Sequence, residues 1–121
     1  MRLDKLVKVT LAALDDIKAR DVVVLDVRKM TALFDKIIIA TADSGRQAKA
    51  LSSNVQEKFK AQGGKVYGVE GEQVAEWILV DLDAVIVHIM QPAIRTYYNL
   101  EELWTPPPAA RRKTTKATKA V

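Results

Sequence analysis

The segment Glu76–Gln91, EWILVDLDAVIVHIMQ, contains two short runs of Val, Ile and Leu on either side of Asp83-Ala84. Two such runs, separated by residues that tolerate a turn, predict a β-hairpin. Pro92 follows at once, and proline is not tolerated in the middle of a sheet, so the second strand should end there.

The two faces of this predicted hairpin differ in character. Because side chains alternate along a strand, one face would be apolar throughout and the other mixed. The predicted pairs on the apolar face are Leu82 with Val85, Val80 with Val87 and Ile78 with Ile89. The predicted pairs on the mixed face are Trp77 with Met90, Leu79 with His88 and Asp81 with Ile86. We expect the apolar face in the core, and the mixed face either under a helix or in a binding site. Asp-Ala is not a strong turn pair, and a slip of one residue would exchange the faces.

Composition places the chain among globular proteins of one ordinary domain. Its 121 residues are 49% hydrophobic and 28% charged, which is typical of a folded domain. No run approaches the roughly 20 apolar residues of a membrane span, and the first ten residues lack the apolar block of a signal peptide. The absence of cysteine excludes disulfides and thiolate metal sites. We therefore expect a cytoplasmic protein without membrane association.

The net charge of +4 belongs to the C-terminal end. Five of the 19 basic residues lie in the last eleven positions and all 15 acidic residues precede them, so the rest carries 14 minus 15, or −1. We predict a folded domain over residues 1–105 and a disordered tail over 106–121, which begins with three prolines. The tail could contact RNA phosphates without reading sequence, or it could simply keep the chain soluble.

Hydrophobic periodicity predicts the remaining elements. Apolar residues at helical spacing indicate helices over residues 2–19 and from Ser44, where a capping box with Gln47 begins, to Gly63-Gly64. Strands are predicted at 21–27, 35–41 and 65–69, and a short helix at 92–98 is followed by a final turn at 99–104. The order α-β-β-α-β-β-β-α predicts an α/β domain with one mixed five-stranded sheet flanked by helices. The unpaired edges of such a sheet would allow a homodimer.

Asp81 and Asp83 are the one carboxylate pair with catalytic spacing. Two Asp at positions i and i+2 of a strand share a face, as a divalent-metal site for phosphoryl transfer requires. On that basis a small metal-dependent nucleotidyltransferase is an alternative function. In the simpler interpretation, Asp83 is a turn residue and Asp81 a solvated strand end. The latter is favoured because no Gly-rich phosphate loop accompanies the pair.

His88 is the only histidine, so a zinc site is not expected. A lone strand histidine is more often packed and hydrogen-bonded, with use at an interface as the second interpretation. Four of the seven aromatic residues lie around the hairpin and the last helix, at Trp77, Tyr97, Tyr98 and Trp104. Trp and Tyr commonly anchor protein partners. We interpret Trp77 as such an anchor and Trp104 as a fastener of the C-terminal turn.

Three blocks together resemble the bacterial ribosomal silencing factor family, also called Iojap-related proteins. They are FDKIIIATADSGRQAKALSSNV at 34–55, the Gly63-Gly64 break, and AEWILVDLDAVIVHIMQPAIRTYYNLEELW at 75–104. The resemblance covers residues 3 to 104 and leaves out the tail. It implies a non-enzymatic translation regulator without a cofactor, whose nucleotidyltransferase-like α/β fold lacks the catalytic set.

The resemblance also implies a partner and a set of contacts. Members bind the large ribosomal subunit through large-subunit protein fourteen, block its joining with the small subunit, and repress translation when nutrients are scarce. The matching positions for partner binding are Trp77, Asp81, His88, Gln91, Tyr98, Leu100 and Asp35. The chain departs from the family at Asp83-Ala84, where Gly-Asp is common, at Lys36, where an aromatic is common, and near Ala42-Asp43-Ser44, where Gly-x-Ser is common.

Overall fold

Helices and strands follow one another along residues 1–104, the part of the chain that the computed structural model describes. Their bounds are α1 Leu3–Asp16, β1 Arg20–Asp26, β2 Lys36–Thr41, α2 Gly45–Ala61, β3 Gly68–Glu70, β4 Trp77–Asp81, β5 Val85–Met90, α3 Pro92–Tyr98 and α4 Leu100–Leu103. The predicted order is confirmed, with the last turn forming a separate short helix. Asn99, at φ 47°, breaks the chain direction between α3 and α4. The predicted tail at 106–121 lies outside the described residues.

The strands form the single mixed sheet that the sequence predicts. Its spatial order is β1-β2-β5-β4-β3. The central pair β2 and β5 is parallel, whereas all other neighbours are antiparallel. A parallel pair needs a long crossover, and the chain makes it through α2, β3 and β4. Strand β5 therefore lies in the middle of the sheet, with its backbone paired on both sides.

The hairpin has the predicted register. Trp77 pairs with Met90, Val80 with Val87 and Asp81 with Ile86, and the Leu82 N–H donates to the Val85 carbonyl at 3.0 Å. Asp83 takes the left-handed conformation that closes the turn, with φ 73°. Each residue of the two strands therefore lies on the face that alternation predicts.

The apolar face of the hairpin packs under the two long helices. Val80, Val87 and Ile89 are fully buried, together with Leu14 of α1 and Leu51 of α2. The opposite face carries a smaller core around Ile37, Ile39 and Met90, which is closed by Leu100 of α4 and by the partly buried Ile94 of α3. Of the two expectations for the mixed face, a covering helix is thus confirmed for the part that lies under α3 and α4.

The third strand is shorter than the sequence predicts, and its predicted start at Lys65 is wrong. It covers Gly68–Glu70, because β4, the one strand that pairs with it within residues 1–104, ends at Asp81, which already pairs with Gly68. Tyr67 still donates its backbone N–H to the Asp81 carbonyl at 2.8 Å. In the described part of the chain, the residues just before Tyr67 have no strand beside them and remain irregular.

The second helix begins as its capping box predicts, with one difference. The Ser44 hydroxyl accepts from the Gln47 backbone N–H at 3.1 Å. The return bond of the Gln47 side chain goes to the backbone N–H of Asp43, at 2.7 Å, one residue before the expected position. No helix within residues 1–104 is both long enough and apolar enough to cross a membrane.

Candidate functional site

Four ring-bearing residues meet where β4 begins and α3 ends, and we call them the aromatic cluster: Trp77, His88, Tyr97 and Tyr98. The Trp77 and His88 side chains share the mixed face and lie diagonally across the hairpin, since Trp77 pairs with Met90 and His88 with Leu79. Diagonal neighbours are within reach of long aromatic side chains. The indole Nε1–H of Trp77 donates to His88 Nδ1 at 3.0 Å.

The tyrosines extend this cluster toward solvent. The ring centroids of Trp77 and Tyr98 are 4.8 Å apart, and those of Tyr98 and Tyr97 are 5.0 Å apart. Both distances fall in the range of favourable aromatic pairs. Tyr98 is 51% exposed and Tyr97 is 79% exposed. The cluster therefore runs from a buried imidazole to an open aromatic surface.

His88 is the buried end of the cluster. It is 8% exposed, and burial lowers its pKa from the ordinary 6.5 to about 4, because a charged imidazole would lose its hydration there. The ring is therefore neutral at neutral pH. The interpretation of a packed, hydrogen-bonded strand histidine is confirmed.

Trp77 belongs partly to the core and partly to the surface. Its ring packs against the smaller core that contains Met90 and Leu100, while the residue remains half-buried. The sequence favours an anchor over a core role, because the apolar face of its strand is already filled. The structure gives Trp77 internal packing as well as an accessible part.

The loop 71–75 closely approaches the backbone of Trp77, a contact that the sequence patterns do not predict. Gly71 has φ +87°, and a Cβ atom there would lie 2.1 Å from the Trp77 carbonyl oxygen. The Gln91 side-chain amide donates to the carbonyl of Ala75 at 2.9 Å, and its backbone N–H donates to Glu76 at 2.9 Å. Gln91, a predicted partner contact, thus ties the loop to β5. The isolated Gly71 between two Glu was the one signal of this close approach.

Two of the predicted site residues lie at the opposite end of the sheet. Asp81 Oδ1 accepts from the backbone N–H of Asp83 at 2.8 Å. The interpretation of Asp83 as a turn residue is confirmed, whereas Asp81, at the end of β4, is half-buried and hydrogen-bonded rather than simply solvated. The Asp35 N–H donates to the Ala84 carbonyl at 2.8 Å, beside the same turn. The length of β5, roughly 17 Å for six residues, separates this end from Trp77. Within residues 1–104, no group of three or more His, Asp or Glu side chains is placed to hold a metal ion.

Leu100, another predicted contact, is 8% exposed and closes the smaller core. Its helix is fixed by Arg95, whose role the sequence did not indicate. Arg95 Nη1 donates to the Asp21 carbonyl at 2.6 Å and to the Thr41 hydroxyl at 2.7 Å, while Nη2 pairs with Glu101 at 2.9 Å. The structure thus brings Trp77, His88 and Tyr98 together, with Gln91 and Leu100 as their supports.

The chain has close relatives of known name and structure. The family model described as "Ribosomal silencing factor during starvation" matches residues 1–121. A ribosomal silencing factor of Chromobacterium violaceum is 47% identical over 104 residues, which are 86% of this chain and 85% of that protein. The Bacillus subtilis ribosomal silencing factor is 34% identical over 110 residues, which are 91% of this chain and 93% of that protein. A crystal structure of a Chromobacterium violaceum protein matches with a TM-score of 0.85 at 46% identity, covering 88% of this chain and 89% of that one.

Proposed function

We propose that this chain, which belongs to the ribosomal silencing factor family, binds the large ribosomal subunit and represses translation when nutrients are scarce. It acts by occupying the face of the large subunit that meets the small one, so that the subunits cannot join. Its contact there is large-subunit protein fourteen, and it acts in the cytoplasm. Family membership is the observation that carries this proposal.

The aromatic cluster supplies a surface suited to that partner. Binding hot spots are rich in Trp and Tyr, because these side chains bury large area and keep a polar group. Tyr97 and Tyr98 expose their rings beside the half-buried Trp77. The aromatic cluster carries no charged side chain, which favours a protein contact over a contact with phosphates. The other proposed partner contacts are Asp35, Asp81, Gln91 and Leu100. Two of them, Gln91 and Leu100, also support the aromatic cluster from within the fold.

The first test is co-sedimentation of the purified protein with separated ribosomal subunits, with subunit joining measured in the same gradients. We expect migration with large subunits alone, and fewer joined ribosomes as protein is added. Migration with small subunits instead, or with neither, would refute the proposal. Large subunits that lack protein fourteen test the named contact, since they should fail to retain the protein.

The second test is the Trp77→Ala variant. Loss of a hot-spot residue costs about 2 kcal/mol of binding free energy, or roughly a 30-fold weaker Kd. Tyr67→Ala is the matched control, because Tyr67 is 57% exposed and lies near Gly63 and Leu82, away from the cluster. Thermal unfolding of both variants separates a binding defect from a folding defect. Wild-type affinity of the Trp77→Ala variant would remove Trp77 from the interface.

A further inference from the structure

The two nitrogen atoms of the His88 ring have different surroundings. Nδ1 lies 3.0 Å from the indole Nε1 of Trp77. An indole N–H can only donate a hydrogen bond, so Nδ1 must accept. A neutral imidazole that accepts at Nδ1 carries its proton on Nε2. The bond with Trp77 therefore selects one tautomer of His88.

The resulting Nε2–H has no acceptor within the part of the chain that the structure describes. In residues 1–104, every fully buried side-chain nitrogen or oxygen has a hydrogen-bond partner. Nε2 therefore reaches the surface, although the residue as a whole is 8% exposed. The strand beneath it is paired on both sides, with His88 between Ile39 and Leu79. The fold thus holds a single N–H donor in a fixed place beside Trp77 and leaves it open.

We propose that His88 is a specificity-determining residue of the aromatic cluster, and that its Nε2–H donates to a carbonyl or carboxylate oxygen of the docked protein. The inference rests on the proposed function for the identity of the partner. A partner surface that covers the cluster removes water from this N–H. An oxygen acceptor restores the lost hydrogen bond, whereas an apolar surface leaves a buried donor unpaired and binds more weakly. His88 thereby favours partners that place an oxygen atom within hydrogen-bond distance of its Nε2.

The first test needs neither a partner nor a variant. His88 is the only histidine, so the nitrogen NMR spectrum of its ring in the uniformly ¹⁵N-labelled protein contains one imidazole. At pH 7 we expect Nδ1 to have the shift of an unprotonated nitrogen and Nε2 that of a protonated one. A proton on Nδ1 would overturn the inference, whatever the protein binds.

The second test compares two substitutions in binding to purified large ribosomal subunits. In His88→Asn, the amide oxygen can accept from Trp77 at the place of Nδ1, but the donor at Nε2 is absent. We expect about tenfold weaker binding, the effect of one lost hydrogen bond. In His88→Gln, an amide N–H reaches the place of Nε2, and we expect part of the affinity to return.

The outcomes separate this inference from the proposed function. If the wild-type protein binds and His88→Asn binds equally well, the donor role is wrong while the function stands. If the wild-type protein does not bind large subunits, the proposed function fails, and the partner named for His88 fails with it. Thermal midpoints of both variants confirm that each is folded at the temperature of the assay.

Discussion

Acidification from pH 7 to pH 5 should destabilise this protein through His88, and the structure gives the size of the effect. Burial holds the His88 pKa at about 4 in the folded state, against 6.5 for the exposed group. Between these values the unfolded chain binds a proton that the folded chain does not. The contribution of neutral His88 to stability is therefore present above pH 6.5 and is lost as the pH falls toward 4.

The magnitude follows from linkage. One pKa unit corresponds to 1.36 kcal/mol, so the full difference amounts to roughly 3 kcal/mol. Over the interval from pH 7 to pH 5 the loss is about 2 kcal/mol. Protonation also converts Nδ1 into a donor, which cannot accept the Trp77 N–H. The carboxyl groups of Asp26 and Asp43 have pKa values lowered by their arginine partners, Arg28 and Arg20. Their contributions are lost only below the ordinary carboxyl pKa of 3.8, outside this interval.

The assay is urea unfolding, monitored by tryptophan fluorescence, at steps of half a pH unit from pH 7 to pH 5. The His88→Asn variant is the control, because its amide does not titrate. The substitution also changes the absolute stability, so the comparison is between the changes in unfolding free energy with pH. Between pH 7 and pH 5 we expect the wild type to lose about 2 kcal/mol more unfolding free energy than the variant. Parallel slopes for the two proteins would show that His88 titrates normally and refute the reasoning.

Two further predictions concern the supports of the aromatic cluster. Gly71 and Gly63 both have φ +87°, but a Cβ at Gly63 meets nothing within 4 Å. Gly63→Ala should therefore cost only the backbone strain, about 1 kcal/mol of unfolding free energy, and Gly71→Ala should cost clearly more. Urea unfolding of the two variants measures both losses, and equal losses would exclude the clash with the Trp77 carbonyl. Arg95→Met removes charged hydrogen bonds from a side chain that is 11% exposed, and about 2 kcal/mol of stability should be lost. The control is Arg28→Met, which breaks the exposed pair with Asp26 and should leave the thermal midpoint unchanged. An equal shift of the midpoint in Arg95→Met and Arg28→Met would contradict a structural role specific to Arg95.

Local sequence patterns were sufficient to predict the hairpin. Its two arms alternate strictly, so only one register buries Ile78, Val80 and Val87 on the same face. Asp83 can adopt the positive φ that the turn requires. The capping residue Ser44 likewise marks the start of α2 by a contact with the next turn of its own helix. These features depend on neighbours in the sequence.

Features that depend on distant residues could not be predicted in the same way. The parallel pairing of β2 with β5 joins segments that are some fifty residues apart. The start of β3 depends on where β4 ends, and the need for glycine at Gly71 depends on the path of the Trp77 backbone. The sequence placed Trp77 and His88 on one face, but not the diagonal bond between them. That bond depends on side-chain rotamers, which strand alternation leaves undetermined.

The half-burial of Trp77 explains how one residue can support both the fold and a partner. Fixing a free side chain on binding costs about 0.5–1.5 kcal/mol. Trp77 is already held before binding by its bond to His88 and by the ring of Tyr98. A partner that covers the exposed part of the ring therefore gains contact area with little further loss of side-chain freedom. The same arrangement makes the orientation of Trp77 depend on a neutral His88, so protonation of this imidazole would both lower the stability of the fold and disturb the geometry of the proposed interface.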